Sequence, residues 1–247
     1  MKQKNLIFNK LYWLVPLTII ITYIVTMYIS SNGISLSIVH FVEKYYDMEV
    51  TNFPSKSKNL LSSLMNFLVY IAVVIPILFV ALHILIIDYK RKKEDRTFGS
   101  KIALFIGIFY ATSVLVGSIA RLIYESDSTN QEAITSILKA NGLSTIMMII
   151  AAVIIGPVVE ELVFRFSIFE LIKNKWIAFP VSAVLFGLIH VLSSNVSFIQ
   201  MIALLLPYSA SCVVFALAYE KSNRNIWLPI TIHSITNLAS VVITLLL

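Results

Sequence analysis

The sequence predicts an all-α, polytopic transmembrane helix bundle with about seven spans, within a range of six to eight. Of its 247 residues, 58% are apolar and 13% are charged, and the mean hydropathy is +0.88. Soluble domains carry roughly twice that charged fraction and fewer apolar residues. A membrane-spanning helix needs about 20 mainly apolar residues, and stretches of about this length recur along the whole chain.

The predicted spans cover approximately residues 11–29, 60–87, 102–122, 144–172, 176–194, 198–219 and 226–246. The second and fourth stretches are longer than one crossing requires, so we expect them to tilt, kink or extend beyond the bilayer. The first stretch follows three lysines, Lys2, Lys4 and Lys10. It is too long for the apolar region of a secretory signal, and we expect it to be kept as the first span.

Basic residues predict the orientation, because Lys and Arg in short loops favour the cytoplasmic side. Three clusters follow the N-terminal lysines at every second loop: residues 90–96, Lys173 with Lys175, and Lys221 with Arg224. The acidic segment 125–132 falls in a loop of the opposite set. We therefore expect a multi-pass protein of the cell membrane whose N-terminus is cytoplasmic and whose C-terminus is extracytoplasmic.

The excess of 19 basic over 13 acidic residues thus reflects topology, and we expect no nucleic-acid partner. Cys212 lies within an apolar run and, as the single cysteine, has no disulfide partner in the chain. Residues 1–143 hold spans one to three, and their only recognisable feature is their hydropathy, without a motif. Residues 144–247 hold the remaining spans and the ionisable side chains that are unusual inside a bilayer.

Ionisable residues within a span are costly, so they are candidates for function. Glu161 and Arg165 are four residues apart and lie on one helix face, where they can form an ion pair with a purely structural role. Glu160 points about 100° away from Glu161 and has no obvious ion-pair partner in its own helix, which favours a chemical role. Pro157 precedes the pair and predicts a helix bend just before the glutamates.

Helix geometry predicts that two of these sites meet. Spans four and five should turn near residue 175, and Glu160 and His190 each lie 15 residues from that point. At 1.5 Å per residue both are roughly 20 Å from the turn, and therefore at the same depth. A histidine alone in a span often only packs. His233 and Asn237 share one face of the last span. They could form hydrogen bonds between helices or be part of the site, and the sequence leaves both open.

Two histidines and one or two glutamates in an apolar bundle favour hydrolysis of a peptide or amide bond. In one version Glu160, His190 and His233 hold a Zn²⁺ ion that activates water. In the other, Glu160 is a general base assisted by His190, while His233 and Asn237 stabilise the oxyanion. HExxH and GxSxG motifs are absent from the sequence, so soluble metalloprotease and serine-hydrolase mechanisms lack support.

Three segments resemble the motifs of a known family. Residues 160–165 (EELVFR), 186–190 (FGLIH) and 233–237 (HSITN) are similar to the EExxxR, FxxxH and HxxxN/D motifs of the CPBP family. That family comprises type II CAAX prenyl endopeptidases and bacterial bacteriocin-processing or self-immunity relatives, also called Abi proteins. The resemblance covers roughly residues 144–246. Phe166 follows the motif arginine where the family often has glycine, and no proposed catalytic group is lost.

The resemblance implies an intramembrane endopeptidase in which Glu160 and His190 activate the attacking water, and His233 and Asn237 line the oxyanion site. It assigns a supporting role to three further residues, Glu161, Arg165 and Phe186. Many members of the family are named metalloproteases, so a Zn²⁺ site and a metal-free mechanism both stay open. We expect a bacterial protein that acts on a membrane-associated peptide or CAAX-like protein, such as a pheromone or bacteriocin precursor.

Two other functions remain open on the sequence. The first is a non-proteolytic self-immunity or membrane scaffold protein with the same fold. The second is a secondary transporter that uses Glu160 and His190 as a proton relay. Transporters of that kind are commonly built from inverted repeats, which the sequence does not show.

Overall fold

The computed structural model describes residues 13–140 and 142–247, so the N-terminal lysines and the predicted start of the first span lie outside it. The described residues form eight helices and no strands, which confirms the all-α prediction. The helices are α1 (Leu14–Tyr46), α2 (Ser55–Glu94), α3 (Phe98–Ile123), α4 (Thr129–Lys139), α5 (Leu143–Leu171), α6 (Lys175–Val191), α7 (Phe198–Lys221) and α8 (Trp227–Leu246).

Six of the described helices, all except α4 and α6, are long and apolar enough to cross a membrane. Helix α6 is apolar as well but has 17 residues, which correspond to about 26 Å. This is at the short end of the range for a transmembrane helix. The seven predicted spans therefore correspond to the six long helices and α6. The chain is a multi-pass membrane protein embedded in the lipid bilayer.

The first predicted span differs from the helix that forms. It was expected to end at residue 29, but the helix continues through the π-helical segment Ser30–Ile34 as far as Tyr46. The polar side chains at this point do not break the helix, because they bond to its own carbonyls: Ser31 Oγ donates to Met27 O at 2.6 Å and Asn32 Nδ2 donates to Tyr28 O at 2.9 Å.

Helix α5 is the centre of the bundle. Of its apolar window, 61% is buried inside the protein, compared with 6% for α3 and 17% for α1. Helices α1, α2, α6 and α8 all pack against α5, and α7 packs against α6 and α3. Since lipid is as apolar as the helices themselves, such packing relies on close contact and on polar interactions. The helix that carries the glutamates is thus shielded from lipid along most of its length.

The geometry of α5 is irregular around the glutamates. Its segments Ile150–Ile155 and Leu162–Ser167 are π-helical, and only the short segment Gly156–Glu161 between them is α-helical. Pro157 lacks an N–H and cannot donate to the preceding turn, and π-helical turns often occur at functional sites. The structure has a π-helical segment just before Pro157, while the bend expected from Pro157 stays a prediction.

The loops that follow α2, α5 and α7 lie at one end of the bundle, here called the basic end (residues 95–97, 172–174 and 222–226). There the buried carboxylate of Asp88 accepts from the backbone N–H of Ile226 at 2.9 Å and from Arg91 Nη1 at 2.8 Å. Asn225 Nδ2 donates to Asp88 O at 2.8 Å. These bonds attach the start of α8 to α2 and so determine how far along the bundle His233 lies.

Arg224 attaches the same loop to α5. Its Nη1 lies 3.2 Å from Glu170 Oε1 and also donates to Phe169 O at 3.3 Å, while its Nε donates to Glu220 at 2.7 Å. Partial burial disfavours the charged form, but the two carboxylates outweigh it and raise the pKa of Arg224. The end of α5 and the start of α8 are consequently held next to each other. The residues that hold them lie far from Glu160 and Glu161.

The side of the membrane that the basic end occupies is a prediction that reporter fusions can check. A reporter fused after Lys93 should be active in the cytoplasm, and one fused after Leu247 should be active outside, because the basic loops favour the cytoplasm. A cytoplasmic signal from the Leu247 fusion would show that one of the seven helices, most critically the 17-residue α6, does not cross.

Candidate active site

Glu160, His190, His233 and Asn237 line one cavity of about 340 Å³ inside the bundle. The three motif segments therefore meet in space, as the matched depth of Glu160 and His190 predicted. Phe186 lines the same cavity. Helices without a motif also contribute to the cavity walls, and their polar side chains there include Tyr23, Asn66, Tyr70, Asn130, Gln131 and Tyr208.

Glu161 and Arg165 form the predicted ion pair in the driest part of the protein. Arg165 Nε lies 3.0 Å from Glu161 Oε2, and both side chains are 0% exposed. The N–H of Nε does not point directly at that oxygen. The guanidinium carbon also lies 4.6 Å from the ring centre of Phe186 and 5.3 Å from that of Phe215. Cation–π contact thus supplements the ion pair.

The second oxygen of Glu161 holds His233. Glu161 Oε1 lies 2.8 Å from His233 Nδ1, and an ionised carboxylate can only accept, so Nδ1 carries the proton. The family resemblance assigned a supporting role to Glu161. In the structure its carboxylate contacts a cation in its own helix and an imidazole from α8 at the same time.

Glu160 points in another direction, as the helical spacing predicts. Its side chain is 12% exposed and its Oε2 lies 3.8 Å from His233 Nε2, which is too far for a hydrogen bond. Gly156 lies one turn earlier, where a Cβ would be 3.1 Å from Ala151 O, a tight contact, and 3.6 Å from Glu160 Oε1, an ordinary one. Glu160 and His233 Nε2 therefore face each other at the edge of the cavity.

His190 is oriented by its own helix and by α7. Its Nδ1 lies 2.8 Å from the carbonyl oxygen of Phe186. Because that oxygen can only accept, Nδ1 is the protonated nitrogen and Nε2 keeps its lone pair in the neutral ring. The ring stacks on Tyr208 with centroids 4.6 Å apart and planes at 20°. His190 is therefore a base candidate with a defined tautomer.

Asn237 is partly engaged by the irregular part of α5. Its Nδ2 donates to Ala152 O at 2.8 Å, and Ala152 lies in the π-helical segment Ile150–Ile155. The sequence assigned Asn237 to an oxyanion site. One hydrogen of its amide instead ties α8 to α5, and this leaves the second hydrogen for the cavity that the side chain lines.

The donor arrangement does not fit the zinc version of the site. Among residues 13–140 and 142–247 there is no group of three or more His, Cys, Asp or Glu side chains spaced to hold a metal ion. Each histidine has its Nδ1 bonded to an oxygen, as zinc-binding histidines often do. Even so, Glu160, His190 and His233, the three predicted ligands, do not converge on one point.

The sequence did not identify the contribution of the motif-free helices. Asn66 and Tyr70 of α2 and Tyr23 of α1 line the cavity beside Glu160. Asn66 and Tyr70 are four residues apart within a predicted span, which placed two polar groups on one face. This four-residue spacing was the sequence signal for a polar contribution from α2. The spacing does not specify whether that helix face contacts a neighbouring helix or the lipid headgroups.

Comparison with known families identifies the region that holds the site. Residues 142–239 match the family described as "Type II CAAX prenyl endopeptidase Rce1-like". This region contains all three motifs and confirms the family resemblance predicted from them. No solved structure matches the chain.

Curated bacterial proteins are similar over larger parts of the chain. An uncharacterised protein of Mycoplasma capricolum is 29% identical over 77% of this chain and 59% of its own length. The "Putative membrane peptidase YdiL" of Bacillus subtilis is 32% identical over 57% of this chain and 53% of its own. The UPF0177 protein YvdC of Lactococcus lactis is 31% identical over 60% and 53%. The matches thus span only about half to three-fifths of these relatives.

The contacts of the two glutamates predict different effects of substitution. Glu161→Gln and Arg165→Ala should each lower the stability of the detergent-solubilised protein, because removing one member of a buried pair costs roughly 3–5 kcal/mol. Glu160→Gln should leave the melting temperature close to that of the unmodified protein, since Glu160 has no ion-pair partner in its helix. Thermal unfolding of the three variants measures the difference.

The exposed Glu132 of α4 provides the matched control, and Glu132→Gln should not change the melting temperature. If Glu160→Gln were the unstable variant and Glu161→Gln the stable one, the roles assigned to the two carboxylates would be exchanged.

Proposed function

We propose that this chain, whose residues 142–239 match the type II CAAX prenyl endopeptidase family, is an intramembrane endopeptidase. It hydrolyses a peptide bond in a membrane-associated peptide or CAAX-like protein. The observation that carries the proposal is the cavity itself, because a carboxylate with no ion-pair partner in its own helix and two histidines of defined tautomer line one pocket inside the helix bundle.

Water attack is the proposed chemistry. Glu160 and His190 line the cavity as proton acceptors, and the lone pair of His190 Nε2 is free to receive a hydrogen bond from water because Nδ1 is committed to Phe186 O. As the water oxygen bonds to the carbonyl carbon, its proton passes to this acceptor pair. The same proton is then delivered to the nitrogen of the leaving amine when the C–N bond breaks.

Stabilisation of the oxyanion is assigned to His233 and Asn237. A second proton on His233 Nε2 gives an imidazolium between the carboxylates of Glu161 at 2.8 Å and Glu160 at 3.8 Å. Such a group donates to a developing negative charge, and it is strongest in a dry, pre-organised site. The remaining N–H of Asn237 supplies a second donor. Glu161 supports this step by holding the His233 ring.

The substrate is expected to be a peptide segment with apolar residues near the bond that is cut. The cavity is also lined by apolar side chains such as Val69, Val73 and Ile189, which would contact apolar side chains favourably. Pheromone or bacteriocin precursors, which are short and membrane-associated, fit this description. We propose substrates of that class.

Substitution of the acceptors should abolish cleavage without loss of protein. Glu160→Ala and His190→Ala should each lower the cleavage rate by about 10²–10⁴-fold, the range over which general bases act. The measurement compares membrane peptides from cells that carry each variant and from cells that carry the unmodified protein. His83→Ala, which alters an exposed histidine of α2, is the matched control and should leave the peptide pattern unchanged.

If Glu160→Ala and His190→Ala give the same peptides and the same phenotype as the unmodified protein, the endopeptidase is excluded. A self-immunity or scaffold function on the same fold then takes its place.

Metal analysis tests the zinc version separately. Because Glu160, His190 and His233 do not converge on one point, we expect the purified protein to contain less than stoichiometric zinc and to keep its cleavage rate after dialysis against a chelator. Zinc at one equivalent that is lost in Glu160→Ala, together with activity that zinc restores after dialysis, would overturn the metal-free mechanism.

A further inference from the structure

Helix α7 carries none of the three motifs, yet it contacts both motif histidines. Tyr208 and Phe215 lie seven residues apart on α7, which is two helical turns and places them on one face. Tyr208 stacks on His190, and Phe215 stacks on His233. One helix thus supplies an aromatic ring to each histidine of the cavity.

The two stacking contacts have the same geometry. In the pair His190–Tyr208 the centroids are 4.6 Å apart and the planes are at 20°, and the pair His233–Phe215 has the same two values. This is a parallel contact in which the flat face of the aromatic ring covers the flat face of the imidazole. Two equal contacts, made to histidines on different helices, set α7 apart from the other motif-free helices described.

Each aromatic ring is itself held by a second contact. The Tyr208 hydroxyl lies 2.9 Å from Ser128 Oγ, at the start of α4. The Phe215 ring also lies parallel to Phe109 of α3, with centroids 5.5 Å apart and planes at 10°. These second contacts hold the two aromatic rings independently of the histidines. A rotation of an imidazole ring would therefore not be accompanied by the ring that stacks on it.

Close packing of α6 against α7 makes the His190 contact possible. Gly187 lies one turn before His190, and a Cβ at that position would be 2.8 Å from Ser209 Oγ and 3.0 Å from Leu205 Cγ. A side chain there would push the two helices apart. The glycine inside the FxxxH segment thus allows Tyr208 to reach the imidazole ring.

A histidine needs two constraints to keep its direction. The hydrogen bond at Nδ1 fixes one point of the ring, but the torsion that turns the ring plane is soft. A flat aromatic face fixes that plane, and with it the direction in which Nε2 points. Phe186 O and Glu161 supply the first constraint for His190 and His233 respectively.

We propose that Tyr208 and Phe215 are positioning residues that supply the second constraint, so that α7 sets the planes of both cavity histidines. This inference deepens the proposed function and rests on it for its consequence, which is a loss of turnover. The ring geometry itself is independent of any reaction and can be measured without a substrate.

The experiment uses the full-length protein in detergent with isotope-labelled histidine. The chain has only four histidines, so His→Gln variants assign every imidazole signal. Phe186 also lies near both imidazoles, so Tyr208→Leu should reduce the upfield ring-current shift of His190 and leave His233 unchanged, whereas Phe215→Leu should do the reverse. Tyr208→Phe retains the ring and should retain the His190 shift even though the bond to Ser128 is lost.

Phe169→Leu is the matched control, because it removes a fully buried ring that packs against Phe179 and Tyr219. It should lower the melting temperature as much as the other Leu variants while both histidine signals stay in place. In the unmodified protein, cross-relaxation between the His190 and Tyr208 rings and between the His233 and Phe215 rings should be present. Its absence overturns the proposal even where a Leu variant fails to fold.

Turnover of a membrane peptide identified for the endopeptidase is the second readout. Tyr208→Leu and Phe215→Leu should lower kcat by about 10²-fold, the loss that misplacement of a catalytic group produces, and leave KM nearly unchanged. If each Leu variant changes the signal of only its own histidine but the unmodified protein cleaves no peptide, the positioning role is supported and the endopeptidase is refuted. Ring shifts that are equal for both histidines in every variant would refute the positioning alone.

Discussion

The carboxylate of Glu161 joins the first motif to the third. One oxygen lies 3.0 Å from Arg165 and the other lies 2.8 Å from His233, in a region where both acidic and basic side chains are fully buried. A lone charge at this depth would cost several kcal/mol. The Glu161 carboxylate and the Arg165 guanidinium therefore each require the other as a counter-ion. The same contact that lets a charge exist inside the bundle also orients the imidazole at the cavity.

The division of labour between adjacent glutamates follows from helix geometry. Because neighbouring residues point about 100° apart, Glu161 faces the packed interior while Glu160 faces the cavity. The π-helical segments on both sides interrupt regular hydrogen bonding, and the carbonyl of Ala152 accepts a bond from Asn237. The irregular part of α5 thus accepts a hydrogen bond from the third motif, eight residues before the first motif begins.

Contacts far from the cavity determine how the motif helices align. Asp88 binds the start of α8 and Arg224 binds the end of α5, both at the basic end of the bundle. An apolar helix surface gains little by leaving lipid for another helix, because both surroundings are apolar. Polar bonds such as these therefore contribute strongly to helix alignment in a membrane protein. They fix the position of α8 along α5, whereas the stacking rings Tyr208 and Phe215 fix the planes of the imidazoles.

The sequence by itself determined the all-α membrane architecture, the Glu161–Arg165 pair and the motifs that surround the cavity, because hydropathy and helical spacing act over one helix at a time. The first helix extends beyond the predicted span, since polar side chains that bond to their own helix do not end it. Only the tertiary structure decided that Glu161 binds His233 and that α7 stacks on both histidines. Such contacts depend on the rotation and offset of separate helices, which hydropathy and spacing within a single helix do not specify.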